Sequence, residues 1–121
     1  MKRVIGLLLL VWAALSAQRS QLAQVFADVP AKARPKPNPL AKDPTAALAG
    51  RKLFEDHCAM CHGSGGIGGK RAPSLMSVEV QQASPGEIFW VITNGVIRKG
   101  MPAWAKLPAP ERWQIVAFLT Q

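Results

Sequence analysis

Two cysteines constrain this chain more than any other feature. They are Cys58 and Cys61, three positions apart, and the 121 residues hold no others. A disulfide closing so short a loop would stabilise little. The part of the chain able to form a globule is nevertheless small. Ahead of Thr45 lie a basic start, an apolar run and a proline-rich stretch, which leaves residues 45–121, 77 in all. A domain of that size buries only about 60% of its unfolded surface, and such domains generally need a staple. Here the staple must be something other than a disulfide.

The next residue names it. Cys58-Ala59-Met60-Cys61-His62 reads C-x-x-C-H, the attachment site of c-type haem. On a helical turn, residues three and four apart share a face. Both thiols can then meet the two vinyl groups of one porphyrin, with His62 against the ring. One covalent haem would thus be both cofactor and core. Competing readings lack support. A thioredoxin-type pair needs strands alternating with helices, and none are legible. A zinc site needs four ligands, and the other histidine, His57, is placed beside the motif with poor geometry and is read as an exposed helix residue. Gly63, Gly65 and Gly68 match G-x-G-x-x-G, but that pattern binds dinucleotides only between a strand and a helix. It is read here as a flexible surface loop.

A second axial ligand would decide what the iron does. A thioether suits haem iron and raises its potential. Met60 is trapped between the cysteines. Met76 follows His62 by 14 residues and reads better as an apolar packing residue. Met101 follows by 39 residues, in Lys99-Gly100-Met101-Pro102-Ala103-Trp104, enough chain to wrap a haem and return on its other face. His62 and Met101 are the expected metal ligands.

The remaining sequence is organised around this domain. Met1-Lys2-Arg3 precedes Val4 to Leu15, where eleven of twelve residues are hydrophobic. Twelve helical residues reach about 18 Å, short of a hydrocarbon core of about 30 Å. The run therefore reads as a signal peptide over residues 1–17, with cleavage near Ala17 or as late as Ala27, and with an uncleaved membrane-associated N-terminus as the alternative. The expected location is periplasmic or otherwise extracytoplasmic. Residues 18–44 read as a basic linker: five of the ten prolines fall between Asp28 and Pro44, which favours an extended, solvated spacer. A basic tether to an anionic membrane or an acidic partner is the other reading. Residues 1–45 hold seven Lys and Arg against two acids, a net +5; residues 46–121 hold eight against five, a net +3. Most of the +8 thus lies outside the domain, and no nucleic-acid partner is expected.

Several segments read as helices. Thr45 is a fair N-cap for a helix over Ala46 to His57. Ser84-Pro85-Gly86-Glu87 is a capping box with proline at the first helical position, and Asn94-Gly95 is a stop. Pro110-Glu111 opens a last helix carrying Trp113, Ile115, Val116, Phe118 and Leu119.

Taken together, Cys58-Ala59-Met60-Cys61-His62-Gly63, Ala72-Pro73-Ser74-Leu75, Asn94-Gly95 leading to Gly100-Met101-Pro102-Ala103-Trp104, and Trp113 through Leu119 resemble class I c-type cytochromes. The likeness is to short bacterial monohaem forms, including the domains joined to quinoprotein dehydrogenases and haem–copper oxidases. It implies an all-α fold of three to four helices wrapped around one haem. It implies that Gly50 and Phe54 meet Ile115 and Phe118 where the first and last helices cross. It also implies that the Pro73 carbonyl accepts the Nδ1–H of His62, and that Leu75, Ile88 and Ile92 wall the haem, with Trp104 near it. The implied function is one-electron transfer, not enzyme catalysis, between redox proteins such as a dehydrogenase donor and an oxidase acceptor. Lys70, Arg71, Arg98, Lys99 and Lys106 are candidates to steer an acidic partner, and Lys70 and Arg71 to face the propionates. A ligand-binding or peroxidatic haem protein, with Met101 off the iron, is the alternative.

Overall fold

The computed structural model describes residues 2–121, and the side chains of all of these but 2, 3 and 18–20. Its helices are α1 (Lys2–Ala27), α2 (Ala46–His57), α3 (Ala59–His62), α4 (Val78–Gln82), α5 (Pro85–Asn94) and α6 (Ala109–Leu119), with 3-10 turns at Ser64–Gly66 and Ile97–Lys99. Among the described residues no strand forms, and Val96 and Met101 make an isolated antiparallel bridge. The all-α expectation holds.

The core sits where α2 crosses α6. Phe54, Ile115 and Val116 are its fully buried centre, and the Phe54 and Phe118 rings lie 5.3 Å apart. Gly50 makes the crossing possible: a Cβ there would run into the backbone carbonyl of Gln114. The glycine costs about 1 kcal/mol of helix propensity, less than the displacement of a backbone that any side chain would force. α5 packs alongside α6 through Phe89 and Trp113, stacked at 3.8 Å and 12°. Arg112 locks this pair, its guanidinium 4.8 Å above the Phe89 ring and 2.6 Å from the Thr93 hydroxyl.

Helix ends follow local chemistry, with one exception. In the capping box the Ser84 hydroxyl accepts from the Glu87 amide at 3.2 Å, and the Glu87 carboxylate accepts from the Ser84 amide at 3.0 Å. Gly95 ends α5 at a φ of +69°. The exception is Thr45, which caps nothing with its side chain. Asp43 organises that start instead, its carboxylate accepting from the Thr45 amide at 2.8 Å and hydroxyl at 2.7 Å. An Asx-type turn has displaced the simple cap. α6 begins one residue ahead of the expected Pro110.

The front of the chain departs further from expectation. α1 does not stop at the apolar run. Its 26 residues extend about 39 Å, and Val4–Ala27 is long and apolar enough, by length and composition, to cross a membrane. The large apolar side chains from Val4 to Leu15 are exposed, Trp12 at 71%, whereas Leu22 and Phe26 pack against the domain's core. The segment after it is not the extended, solvated spacer its prolines suggested. It runs through successive turns, with Ala33 bonded back to Pro30 at 2.9 Å and Asp43 to Leu40 at 3.0 Å. Proline's fixed φ suits turns as well as extended chain, and buried contacts decide between them. Val29 is buried, and the buried Asn38 donates to the Trp113 carbonyl at 3.0 Å.

Candidate haem-attachment site

The C-x-x-C-H motif occupies one turn continuous with α2. The Cys58 amide bonds back to the Phe54 carbonyl at 2.7 Å, and the Cys58 carbonyl accepts from Cys61 at 3.2 Å and His62 at 3.0 Å. Both thiols are unpaired and half-buried, and Cys58 rests against the core. Burial, reinforced by Cys61, pushes the Cys58 thiol up to about 11. It is therefore a poor nucleophile at neutral pH, unlike the thiol of a dithiol oxidoreductase.

His62 is half-buried, its ring 6.4 Å from that of Phe54. Its Nδ1 is buried and makes no hydrogen bond. Burial holds its pKa below the ordinary histidine range, and the backbone of Pro73 opposes that effect. The hydrogen bond from His62 Nδ1 to the Pro73 carbonyl that the resemblance implied is not formed.

The glycine-rich segment beyond the motif is tied back by hydrogen bonds at several points. Gly68 donates to the His62 carbonyl at 2.7 Å and Leu75 to the Gly66 carbonyl at 2.8 Å. The Glu55 carboxylate accepts from the Gly65 amide at 2.7 Å and the Ser64 hydroxyl at 3.3 Å. Nothing in the sequence singled out Glu55, because a contact ten residues away has no periodic signature.

Met101 is delivered by a tight hairpin. Val96 and Met101 exchange both backbone hydrogen bonds, at 3.0 and 3.2 Å. Trp104 then donates to the Ile92 carbonyl at 2.9 Å, and its ring lies 5.3 Å from that of His57. The segment after Met101 is thereby brought beside the residue that precedes Cys58. Ile88 and Ile92 are buried in the core, with Leu75 and Trp104 packed against it. Met76, read as a packing residue, is instead 53% exposed. Met60 points outward at 86% exposure, as its place between the cysteines required. Lys70, Arg71, Lys99 and Lys106 are exposed; Arg98 is paired with Asp28 at 2.9 Å.

These residues fit a covalent haem. Two free thiols and an imidazole share one turn, and the buried Nδ1 of that imidazole is left without a partner. A thioether lies on a separately anchored hairpin. Among the described residues no group of three or more His, Cys, Asp and Glu could hold a bare metal ion.

Comparison with known proteins agrees with this chemistry. The family model described as cytochrome C oxidase, cbb3-type, subunit III matches residues 45–119. The chain is 34% identical over 102 residues to the cbb3-type cytochrome c oxidase subunit CcoP of Rubrivivax gelatinosus, covering 84% of this chain and 32% of that protein. It is 33% identical over 81 residues to the subunit FixP of Sinorhizobium medicae, covering 60% of this chain and 28% of the relative. It is 30% identical over 86 residues to the quinohemoprotein alcohol dehydrogenase ADH IIB of Pseudomonas putida, covering 70% of this chain and 12% of the relative. The chain thus spans about a third or less of the length of these relatives. No solved structure matches it. The chain belongs to the family of cbb3-type cytochrome c oxidase subunit III, and its folded part is a class I c-type cytochrome domain.

Proposed function

We propose that this chain is a monohaem electron carrier, with haem c joined to Cys58 and Cys61 and the iron held between His62 and Met101. The observation that carries the reading is the single turn from Cys58 to His62, with two unpaired thiols and an imidazole against an apolar core. When bound, the haem supplies reversible one-electron exchange between ferric and ferrous iron. The protein's own residues set the conditions. His62 and Met101 would hold the iron, which would leave no position for a substrate. The Met101 thioether and the apolar wall of Leu75, Ile88 and Ile92 favour the less charged, reduced state. The Pro73 carbonyl would accept from His62 Nδ1–H once the imidazole turns to the iron, and so fix its tautomer.

The relatives are oxidase subunits and a dehydrogenase, which supports a place between redox proteins of those kinds. The N-terminal helix fits an export signal or an anchor, and so supports a location outside the cytoplasm. Lys70, Arg71, Lys99 and Lys106 would steer an acidic partner. Electron-transfer rates should then fall as ionic strength rises.

Carbon monoxide tests the ligation. The reduced native protein should bind it only through slow displacement, and Met101→Ala should bind it rapidly. Rapid binding by the native protein would overturn the carrier reading in favour of an open-site, ligand-binding or peroxidatic one.

A further inference from the structure

The residues between α1 and α2 hold the molecule in a way their composition conceals. Arg34 is the centre. Its guanidinium donates to the carbonyls of Phe26 at 3.2 Å, Ala27 at 3.0 Å and Val29 at 2.9 Å. Two of these belong to the last turn of α1, where carbonyls lack helical partners and a positive charge is favourable. The same guanidinium pairs with Glu87 at 3.4 Å, in the first turn of α5, where a negative charge is favourable. The Arg34 carbonyl accepts from the Ser84 hydroxyl at 2.7 Å. One residue therefore closes the end of one helix and the start of another.

Further ties are independent of it. Gly86 meets the backbone so closely that a Cβ would run into the Ala33 carbonyl. Asn38, buried, links Leu40 at 2.8 Å to the Trp113 carbonyl of α6 at 3.0 Å. Asp28 takes Arg98, three residues before Met101, at 2.9 Å. Leu22 and Phe26 add apolar contact with the core.

A free spacer of the seventeen residues from Asp28 to Pro44 would let the domain range over about 60 Å. We propose that residues 22–44 are instead a collar of the cytochrome domain. It locks α1 to the domain so that the attachment motif is carried at a fixed attitude to the N-terminal helix. It also rules out processing after Ala27, since that cut would remove Leu22, Phe26 and two of the carbonyls that Arg34 holds. This goes beyond the electron-carrier reading and is independent of the iron's ligands.

Trypsin reads the collar directly. Arg34 and Lys36 are each followed by proline, which blocks cleavage, so the sensitive bonds are Lys32–Ala33 and Lys42–Asp43. In the full haem-loaded chain in detergent micelles, cleavage at Lys32–Ala33 should be at least about tenfold slower than in a peptide of residues 28–44. Arg34→Ala and Asn38→Ala should each accelerate it about tenfold or more, Arg34→Lys less, and Lys36→Ala not at all. The visible spectrum establishes that each variant retains its folded haem domain. The unaltered protein gives a second readout, and its intact mass should include residues 22–27. Cleavage as fast as in the peptide, or a mature chain beginning at Asp28, would overturn the collar.

Discussion

Two junctions hold this molecule together, and they are made of opposite materials. The crossing of α2 and α6 is apolar: Gly50 admits the close approach, and Phe54, Ile115, Val116 and Phe118 fill it. The junction of residues 28–44 with α1, α5 and α6 is polar: Arg34 meets Glu87 and Ser84, and Asn38 meets Trp113, across 50 to 75 residues. The first kind of junction tolerates no lost volume but is indifferent to salt. The second depends on every donor keeping its acceptor. A spacer-like composition can therefore hide a rigid element, because a few directional bonds between distant groups need no hydrophobic pattern.

Substitutions at each junction should separate these two modes. The largest effect belongs to the attachment turn that the apolar crossing supports: Cys58→Ser should abolish double covalent attachment of haem, leaving at most one thioether, as mass spectrometry would read. Next is Phe54→Ala, which should cost about 3–5 kcal/mol through lost burial and a cavity, measured by denaturant unfolding. Gly50→Ala should cost about 1–3 kcal/mol despite the gain of about 1 kcal/mol in helix propensity. A stabilised Gly50→Ala variant would mean that the helices do not cross there.

On the polar side, Asn38→Ala leaves the Leu40 amide without its acceptor and removes the side-chain donor to the Trp113 carbonyl of α6. It should cost about 1–3 kcal/mol and, unlike the two core variants, should raise hydrogen exchange first in residues 28–44. The smallest effect is at Asp43. The Thr45 hydroxyl and amide hold its carboxyl below the ordinary value of 3.8. That contribution is present above the unfolded-state pKa and is lost as pH falls through the lower folded one. Asp43→Asn should therefore lower the melting temperature slightly at neutral pH and leave it unchanged in strong acid, flattening the acid side of the profile.

Much of the attachment site was legible because its chemistry is local. Cys58, Cys61 and His62 share one turn by spacing alone, and Ser84 and Glu87 cap α5 from within four residues. The Gly50 approach to α6 was also anticipated, through the family resemblance. Other readings failed where a distant group intervened. The glycine-rich loop was read as a surface loop, and its hydrogen bonds to Glu55 and His62 were not foreseen. Met76 was expected to pack, and the chain leaves it exposed. Thr45 was expected to cap, and Asp43 captures it first.

Length and cysteine spacing alone showed that this domain needs a staple and that haem c suits the motif. Capping residues, helix-forming composition and apolar faces placed its three long helices. Neither could show that the proline-rich segment folds back, since its stability comes from Arg34, Asn38 and Gly86 meeting carbonyls that only the packed chain brings near. Nor could apolar composition distinguish Val4 to Leu15, exposed along α1, from Leu22 and Phe26, pressed against the core of the same domain. Hydrophobicity states what must leave water. The tertiary arrangement determines where it goes.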